Sequence, residues 1–441
     1  MTDARGTLGL PLPGRRLAYG RVLRSGRVQS GSPAARHANL LAALFALAGV
    51  VLPQELQISM GAGARFTPGR IGAALLFIPA LIVLCRKGRR FVLCDFLVFS
   101  AAAWMIFASI NSVGLGALSS AGGEALDFLG GYLLARAYFF GRPALDTFVR
   151  VLKIFAIIAI VFAMADVITG RMFVHETITA IYGSEWYRVE LRNGWLRAAS
   201  TFDHPILFGI FCALTAAILL YSEKNLSRRS VAFGVCFLGC MLAVSSAALM
   251  TISIVLAVFT YDRLMTRYSW RWVALWIATG VVGFVVLVVT EHPLSWIISH
   301  LTLDPQTGFF RIMLWDVGST YIAQSPLFGY AYQSFNNGIL DGTVDSIWLL
   351  YTLRFGVPML ILFFLANVAA VFPSQREIRG TGDVHMDQMR RAFTLVLLML
   401  MFTGLTVHFW NFMLMFWGLC LGIRASFREF NLARPAQSLN R

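Results

Sequence analysis

The sequence predicts an all-α, polytopic transmembrane helix bundle of about 12 spans. Two external loop segments are expected, one of them holding an amphipathic helix. Three observations lead there. Residues are 58% hydrophobic and only 13% charged, whereas soluble domains carry about 25% charged residues. Mean hydropathy is +0.69. Apolar runs long enough to cross roughly 30 Å of hydrocarbon recur along the whole chain. The runs are continuously apolar, not alternating with period two, so helices are expected and a barrel is not.

Residues 1–37 hold seven arginines among Gly, Pro and Ser and no apolar run. They read as a disordered basic cytoplasmic tail, not a cleaved signal. One integral membrane domain is expected over 38–424, followed by a second cytoplasmic tail over 425–441. Spans fall near 38–54, 69–85, 91–111, 124–141, 147–168 and 201–221, and later near 272–290, 346–372, 391–406 and 408–424. Between them the run VAFGVCFLGCMLAVSSAALMTISIVLAVF is long for one span and short for two. Loop charge decides. If the run breaks near Ser245 and Ser246, both termini are cytoplasmic. The inside loops then hold RKGRR at 86–90, Lys224, Arg228, Arg229, Arg263, Arg267, Arg271, Arg376, Arg379, Arg390 and Arg391. A single span would turn the downstream loops inside out. The net charge of +15 is therefore topological and not a nucleic-acid surface. The six cysteines lie in or at the edge of apolar runs and form neither a disulfide framework nor a zinc motif. Arg136, near the inner end of its span, is expected to snorkel.

Two external segments result, about 169–200 and 291–345, longer than usual connections. In the second, Phe310, Met313, Leu314, Val317 and Tyr321 follow helical spacing, with Arg311, Trp315 and Ser319 on the opposite face. Such a helix lies along the surface as a lid or a binding element, and Pro326 and Gly329 then stop it. The first segment reads YRVELRNGWLRAASTFDHPILFG, with Arg188, Arg192 and Arg197 outside, against the topological bias. Their guanidinium forks suit phosphate oxygens. Surface salt bridges to Glu185, Glu190 and Asp203 are the competing reading. Asp203 is placed to cap the helix that starts at Pro205, and Asp345 the one that follows it. Asp345 is equally an external carboxylate suited to a general base. His204 is either catalytic or merely interfacial, and His175, His292 and His300 lack metal-ligand spacing. Arg354 lies nine residues beyond Asp345, roughly 13 Å deep at 1.5 Å per residue, where a charge usually faces a polar cavity.

Three stretches in order, LRAASTFDHPILFG, RIMLWDVGSTYIAQSPLFGYAYQSF and VDSIWLLYTLRFGVPML, cover about residues 190–370. Together they resemble the O-antigen ligase and O-antigen polymerase superfamily of bacterial envelope glycan enzymes. The resemblance implies a metal-independent glycosyltransferase, without a cofactor, on the periplasmic face of the inner membrane. Its donor would be an undecaprenyl-pyrophosphate-linked glycan, and its partners membrane lipids and chain-length regulator or export proteins. It maps the family's functional arginines onto Arg197 and Arg311. With their shared outer-face placement, these two are expected to clamp pyrophosphate and Asp345 to act as the base, and Arg192, His204, Trp315 and Arg354 are the expected substrate-binding residues. Two positions depart from the pattern. The pair before the late span is Asp345-Ser346 where ligases carry a histidine, which suits a polymerase of exopolysaccharide or O-antigen. Ala247, in the SSAA turn, stands where an arginine is expected, and Arg354 or Arg192 would have to compensate. A ligase is the alternative. A flippase of lipid-linked sugars is a third reading, although no internal repeat supports it.

Overall fold

The computed structural model describes residues 33–60, 64–182, 189–289, 305–373, 383–409 and 411–432. Among them the fold is all-helical, with 14 α-helices. In chain order these are α1 (Pro33–Val51), α2 (Pro68–Leu84), α3 (Leu93–Val113), α4 (Leu118–Tyr138), α5 (Arg142–Thr169), α6 (Phe173–Tyr182) and α7 (Pro205–Ser222). The second half holds α8 (Leu226–Leu242), α9 (Ser246–Leu264), α10 (Arg271–Val289), α11 (Pro305–Gln324), α12 (Ile347–Val371), α13 (Val384–Thr403) and α14 (Asn411–Leu432). Six of them, α3, α5, α7, α9, α10 and α12, are long and apolar enough to cross a membrane, which marks a membrane protein. Among the described residues the first helix is already present at Pro33 and the last runs to Leu432.

Two antiparallel hairpins of very short strands interrupt the helices: β1 (Ile58–Met60) with β2 (Ala64–Phe66), and β3 (Leu191–Arg192) with β4 (Trp195–Leu196). The ambiguous apolar run is two helices, α8 and α9, broken at 243–245 as its two serines suggest. At the core, α7 is buried nearly throughout and packs against α8, α9 and α13. Helices α4 and α14 pack closely against each other. There a Cβ on Gly418 would stand 2.3 Å from the Phe128 carbonyl, so only glycine permits the approach.

The helix ends sort into two sets. One set brings together the hairpins, α6, α11 and the turns before α7, α9, α12 and α14; this is the loop-rich end. It is tied together by contacts such as Ala198 N to Leu242 O (3.0 Å) and Ile347 N to Gly404 O (3.1 Å). The other, basic end holds 85–92, 139–141, 223–225 and 265–270. Arg136 belongs there and does not snorkel. It is fully buried, donating to Asp95 through Nε (2.8 Å) and a terminal nitrogen (2.9 Å) and to Glu429 at 2.6 Å. A buried guanidinium needs such partners, and these stand 41 and 293 residues away in sequence. Asp95 also accepts from Tyr132, and Arg89 reaches Glu429 at 2.8 Å, closing the network.

Candidate functional site: arginine pairs at the loop-rich end

The first group is built by a two-residue turn. Asn193 and Gly194 both take positive φ (51° and 81°), the geometry an Asn-Gly hairpin turn demands. With Leu191 opposite Leu196 and Arg192 opposite Trp195, the next pair in register is Glu190 and Arg197. Arg197 N donates to Glu190 O at 3.0 Å, and its guanidinium bonds the Glu190 carboxylate at 2.5 Å. Thus Arg197 pairs with Glu190, one of the acids the sequence offered, but as a part-buried pair and not a surface one, with Arg197 at 7% exposure.

His204 approaches the other oxygen of Glu190 through Nε2 at 3.2 Å. Its Nδ1 accepts from Ile206 N at 3.1 Å, so His204 and not Asp203 caps α7. Pro205 occupies the first helical position, which makes His204 the N-cap residue and leaves Asp203 one residue outside the cap. With Nδ1 accepting, the ring proton sits on Nε2 and points at Glu190. That hydrogen bond, together with the Arg197 and Arg192 charges and against opposing burial, holds the Glu190 carboxyl below its ordinary range. Arg192 donates to the Val244 carbonyl at 3.3 Å, in the turn between α8 and α9. Arg188 lies outside the described residues.

Beneath this group, Asp166 of α5 accepts from Ser200 N (2.8 Å) and Phe173 N (2.9 Å), fixing the chain on both sides of α6. His175 is fully buried; Nδ1 meets Glu55 at 2.6 Å and Nε2 meets the Phe202 carbonyl at 3.0 Å. Burial pulls the His175 pKa down, but the Glu55 hydrogen bond and charge outweigh it, and the net shift is upward.

The second group joins α11 to the start of α12. Phe310, Leu314, Val317 and Tyr321 pack onto Leu340, Val344, Leu349 and Leu353, as their spacing predicts. Met313 does not; it is 39% exposed because it falls beside that stripe. Nor does Arg311 face away from the body. Its Nε lies 3.4 Å from the Asp345 carboxylate, longer than a hydrogen bond, with both side chains partly exposed. Asp345 accepts from Thr343 Oγ1 at 2.8 Å. It does not cap α12. Ser346 does, accepting from Leu349 N at 3.3 Å while donating to Gly404 O at 3.1 Å. Trp315, one turn beyond Arg311, and Trp348 begin an apolar groove of about 620 Å³ that runs between α12 and α13 past Ile361, Phe364, Met401 and Phe402.

Arg354 forms the third group. It pairs with Glu124 of α4 at 3.4 Å and lies over the Tyr332 ring at 4.9 Å, while Tyr332 donates to Glu124 at 2.6 Å. Arg70 and Asp127 pair alongside at 2.8 Å. Its position follows from a break in α12. Pro358 has no N–H for the Arg354 carbonyl, and Gly356 has φ 79°, ψ 174°, a glycine-only conformation. The loop after α11 supplies what the helix lacks. Tyr330 N donates to Leu353 O, Ala331 N to Arg354 O and Val357 N to Pro326 O, each at 2.8 Å. A Cβ at Gly356 would stand 2.0 Å from Leu327 O, and one at Gly329 2.4 Å from Leu353 O. The Pro-Leu-Phe-Gly and Arg-Phe-Gly motifs are thus two halves of one joint. Trp104 seals it, donating to Phe355 O at 2.8 Å and stacking on Phe328.

Arg311 and Asp345 are therefore brought together, as are Arg197, His204 and, through the same hairpin, Arg192. Arg354 belongs with Glu124. Sequence reading missed Glu124, Asp127 and Tyr332, although carboxylates inside an apolar helix are a signal in themselves. It also missed His408, whose loop meets α12 where Ile347 N reaches the Gly404 and Val407 carbonyls, and which feels the Arg354 charge. Among the described residues no group of three His, Cys, Asp or Glu could hold a metal; His292 and His300 lie outside them. No protein-family model matches the chain, and no curated protein matches it in sequence.

Proposed function

We propose that this chain is a polysaccharide polymerase of the O-antigen polymerase and ligase type, acting on undecaprenyl-pyrophosphate-linked glycan at the periplasmic face of the inner membrane. One observation carries the reading. Trp315, one helical turn beyond Arg311, and Trp348, three residues beyond Asp345, both line an apolar groove, so the Arg311–Asp345 pair lies next to the groove without lining it. A charged head site beside an apolar channel has the shape of an amphiphile with a phosphate head and an isoprenoid tail. The two terminal nitrogens of Arg311 make no hydrogen bond among the described residues, which leaves them for phosphate oxygens.

The topology belongs to the same proposal. Every expected span overlaps a helix, with α6 and α11 left over as surface helices. The basic end then faces the cytoplasm and the loop-rich end the periplasm. In the reaction an acceptor hydroxyl attacks the anomeric carbon of the donor. The bond from that carbon to the pyrophosphate oxygen breaks, its electron pair leaves with undecaprenyl pyrophosphate, and the hydroxyl proton passes to Asp345. Arg311 stabilises the charge that grows on the leaving oxygen. Arg197, held by Glu190, would position the hairpin over the donor. Arg192, bonded to the α8–α9 turn, would stand in for the arginine of the family pattern that Ala247 replaces in this chain.

A ligase is the second reading, favoured by His408, which lies near Arg354 beside the Asp345-Ser346 pair where ligases carry their histidine. A deletion strain separates the readings. Loss of polymer with single lipid-linked repeats still made indicates a polymerase, and accumulated lipid-linked polymer indicates a ligase. Unchanged lipid-linked and finished glycans would sink both.

A further inference from the structure

The basic end carries a second cluster of cations that the proposed chemistry does not use. It lies where α7 ends, α8 begins and α9 ends. The Phe259 ring takes two guanidinium groups, Arg263 at 5.0 Å and Arg229 at 5.5 Å from its centre. Tyr221 meets that ring edge-on at 5.0 Å, and Arg263 lies 5.9 Å from Tyr221. Aromatic faces attract cations, but two like charges on one ring repel, and a nearby acid would normally relieve them.

Both nearby acids are engaged elsewhere. Asp262 is held by Arg271 at 2.9 Å and by Arg391 at 3.0 Å. The Glu223 carboxylate is bonded by Lys153, and Arg229 reaches only the Glu223 backbone carbonyl. The Arg263 guanidinium makes no hydrogen bond among the described residues, yet its Nε and one terminal nitrogen are buried. The Nε of Arg229 is likewise buried without an acceptor. Buried charged donors without acceptors are costly, and each such group calls for an explanation. Lys224, Arg228 and Arg267 add exposed positive charge around the rim.

We infer that Arg229 and Arg263, stacked on Phe259 at the ends of α7, α8 and α9, form a binding site for a phosphate group. Its oxygens accept from the terminal guanidinium nitrogen that each arginine leaves accessible and unbonded among the described residues. Its charge removes the repulsion between the two groups and compensates their buried nitrogens. α7 and α9 are both among the helices able to cross a membrane, so the site lies at headgroup depth, where anionic phospholipids supply such a group. A free phosphate ion offers the same chemistry.

The test uses the purified full-length protein in neutral detergent, with thermal unfolding read in phosphatidylglycerol, in phosphatidylcholine or in inorganic phosphate. Phosphatidylglycerol raises the wild-type melting temperature above that in phosphatidylcholine. R229Q/R263Q abolishes the difference, whereas R228Q/R267Q, which removes the same charge from exposed positions, keeps it. A shift with inorganic phosphate alone identifies the free ion as the source; a shift only with phosphatidylglycerol identifies the lipid. The inference is overturned if neither shifts the wild type, if R229Q/R263Q keeps the shift, or if both double variants lose it equally. Should R229Q/R263Q aggregate, R263Q alone serves, with bound phosphatidylglycerol counted by native mass spectrometry. Retention falls about tenfold or more if Arg263 holds the phosphate, and unchanged retention overturns the site.

Discussion

Arg311 and Asp345 face each other at 3.4 Å, and the two roles open to that pair differ enough in magnitude to be told apart. A partly exposed salt bridge contributes about 0–1 kcal/mol of stability. A donor aimed at a developing oxyanion contributes about 3–4 kcal/mol to the barrier, roughly a hundredfold to a thousandfold in rate. R311A is therefore expected to lower transfer in isolated membranes by at least about a hundredfold with little change in melting temperature. Because Ser346 caps α12, D345N should likewise leave folding intact while abolishing polymer growth; normal growth would remove Asp345 from the chemistry. Two titrations at this end run in opposite directions. Glu190 has a lowered folded pKa, so its contribution is present above the ordinary carboxylate value and is lost as pH falls through the lowered one. His175 has a raised folded pKa, so its contribution is present below the ordinary imidazole value and fades as pH rises through the raised one. Melting curves should show E190Q converging on wild type in acid and H175Q converging on it in alkali.

Helix α12 shows how far local sequence reaches. Gly356 and Pro358 announce a break, and Pro326 and Gly329 announce a turn; that the two announcements fit together is a tertiary fact. Gly356→Ala adds a Cβ in a glycine-only conformation against a carbonyl, and strain of this kind costs about 1–3 kcal/mol before the clash is counted. It should lower the melting temperature and expression sharply. Gly280→Ala in α10 is the control: nothing lies within 4 Å of the added carbon, and replacing a mid-helix glycine gains about 0.5–1 kcal/mol. The amphipathic stripe of α11 was legible because one side rests on a shared apolar cluster. The caps of α7 and α12 were misassigned by one residue each, because Asp, Ser and His at adjacent positions compete for one amide and only the backbone path decides. The Asn-Gly turn carried the hairpin signal that pairs Glu190 with Arg197.

For the whole molecule, the bilayer makes some features far more legible than others. Apolar run length reports hydrocarbon thickness directly, so the helices stand where the runs do, and even the break at 243–245 follows from two serines and a charge bias. Ion pairs are different. Asp95, Glu429 and Arg136 come from three helices, and nothing local tells that the charges cancel. Membrane sidedness gives the remaining prediction. Alkaline phosphatase fused after Trp195 or Tyr330 should be active and fused after Lys224 or Thr266 inactive; the reverse pattern would end the proposed chemistry.

The joint between α12 and the loop following α11 has a mechanical consequence. Straightening α12 would leave the Arg354 carbonyl without a donor, since Pro358 cannot serve it, and within a bilayer each such orphan costs several kcal/mol. The two halves of α12 instead meet at a fixed kink at Gly356, with the loop bonded across the break. The chain leaving α11, the helix that carries Arg311, is thus bonded through its backbone to the segment carrying Arg354, and a substitution that opens the joint, such as Gly356→Ala, is expected to disturb the surroundings of both cations.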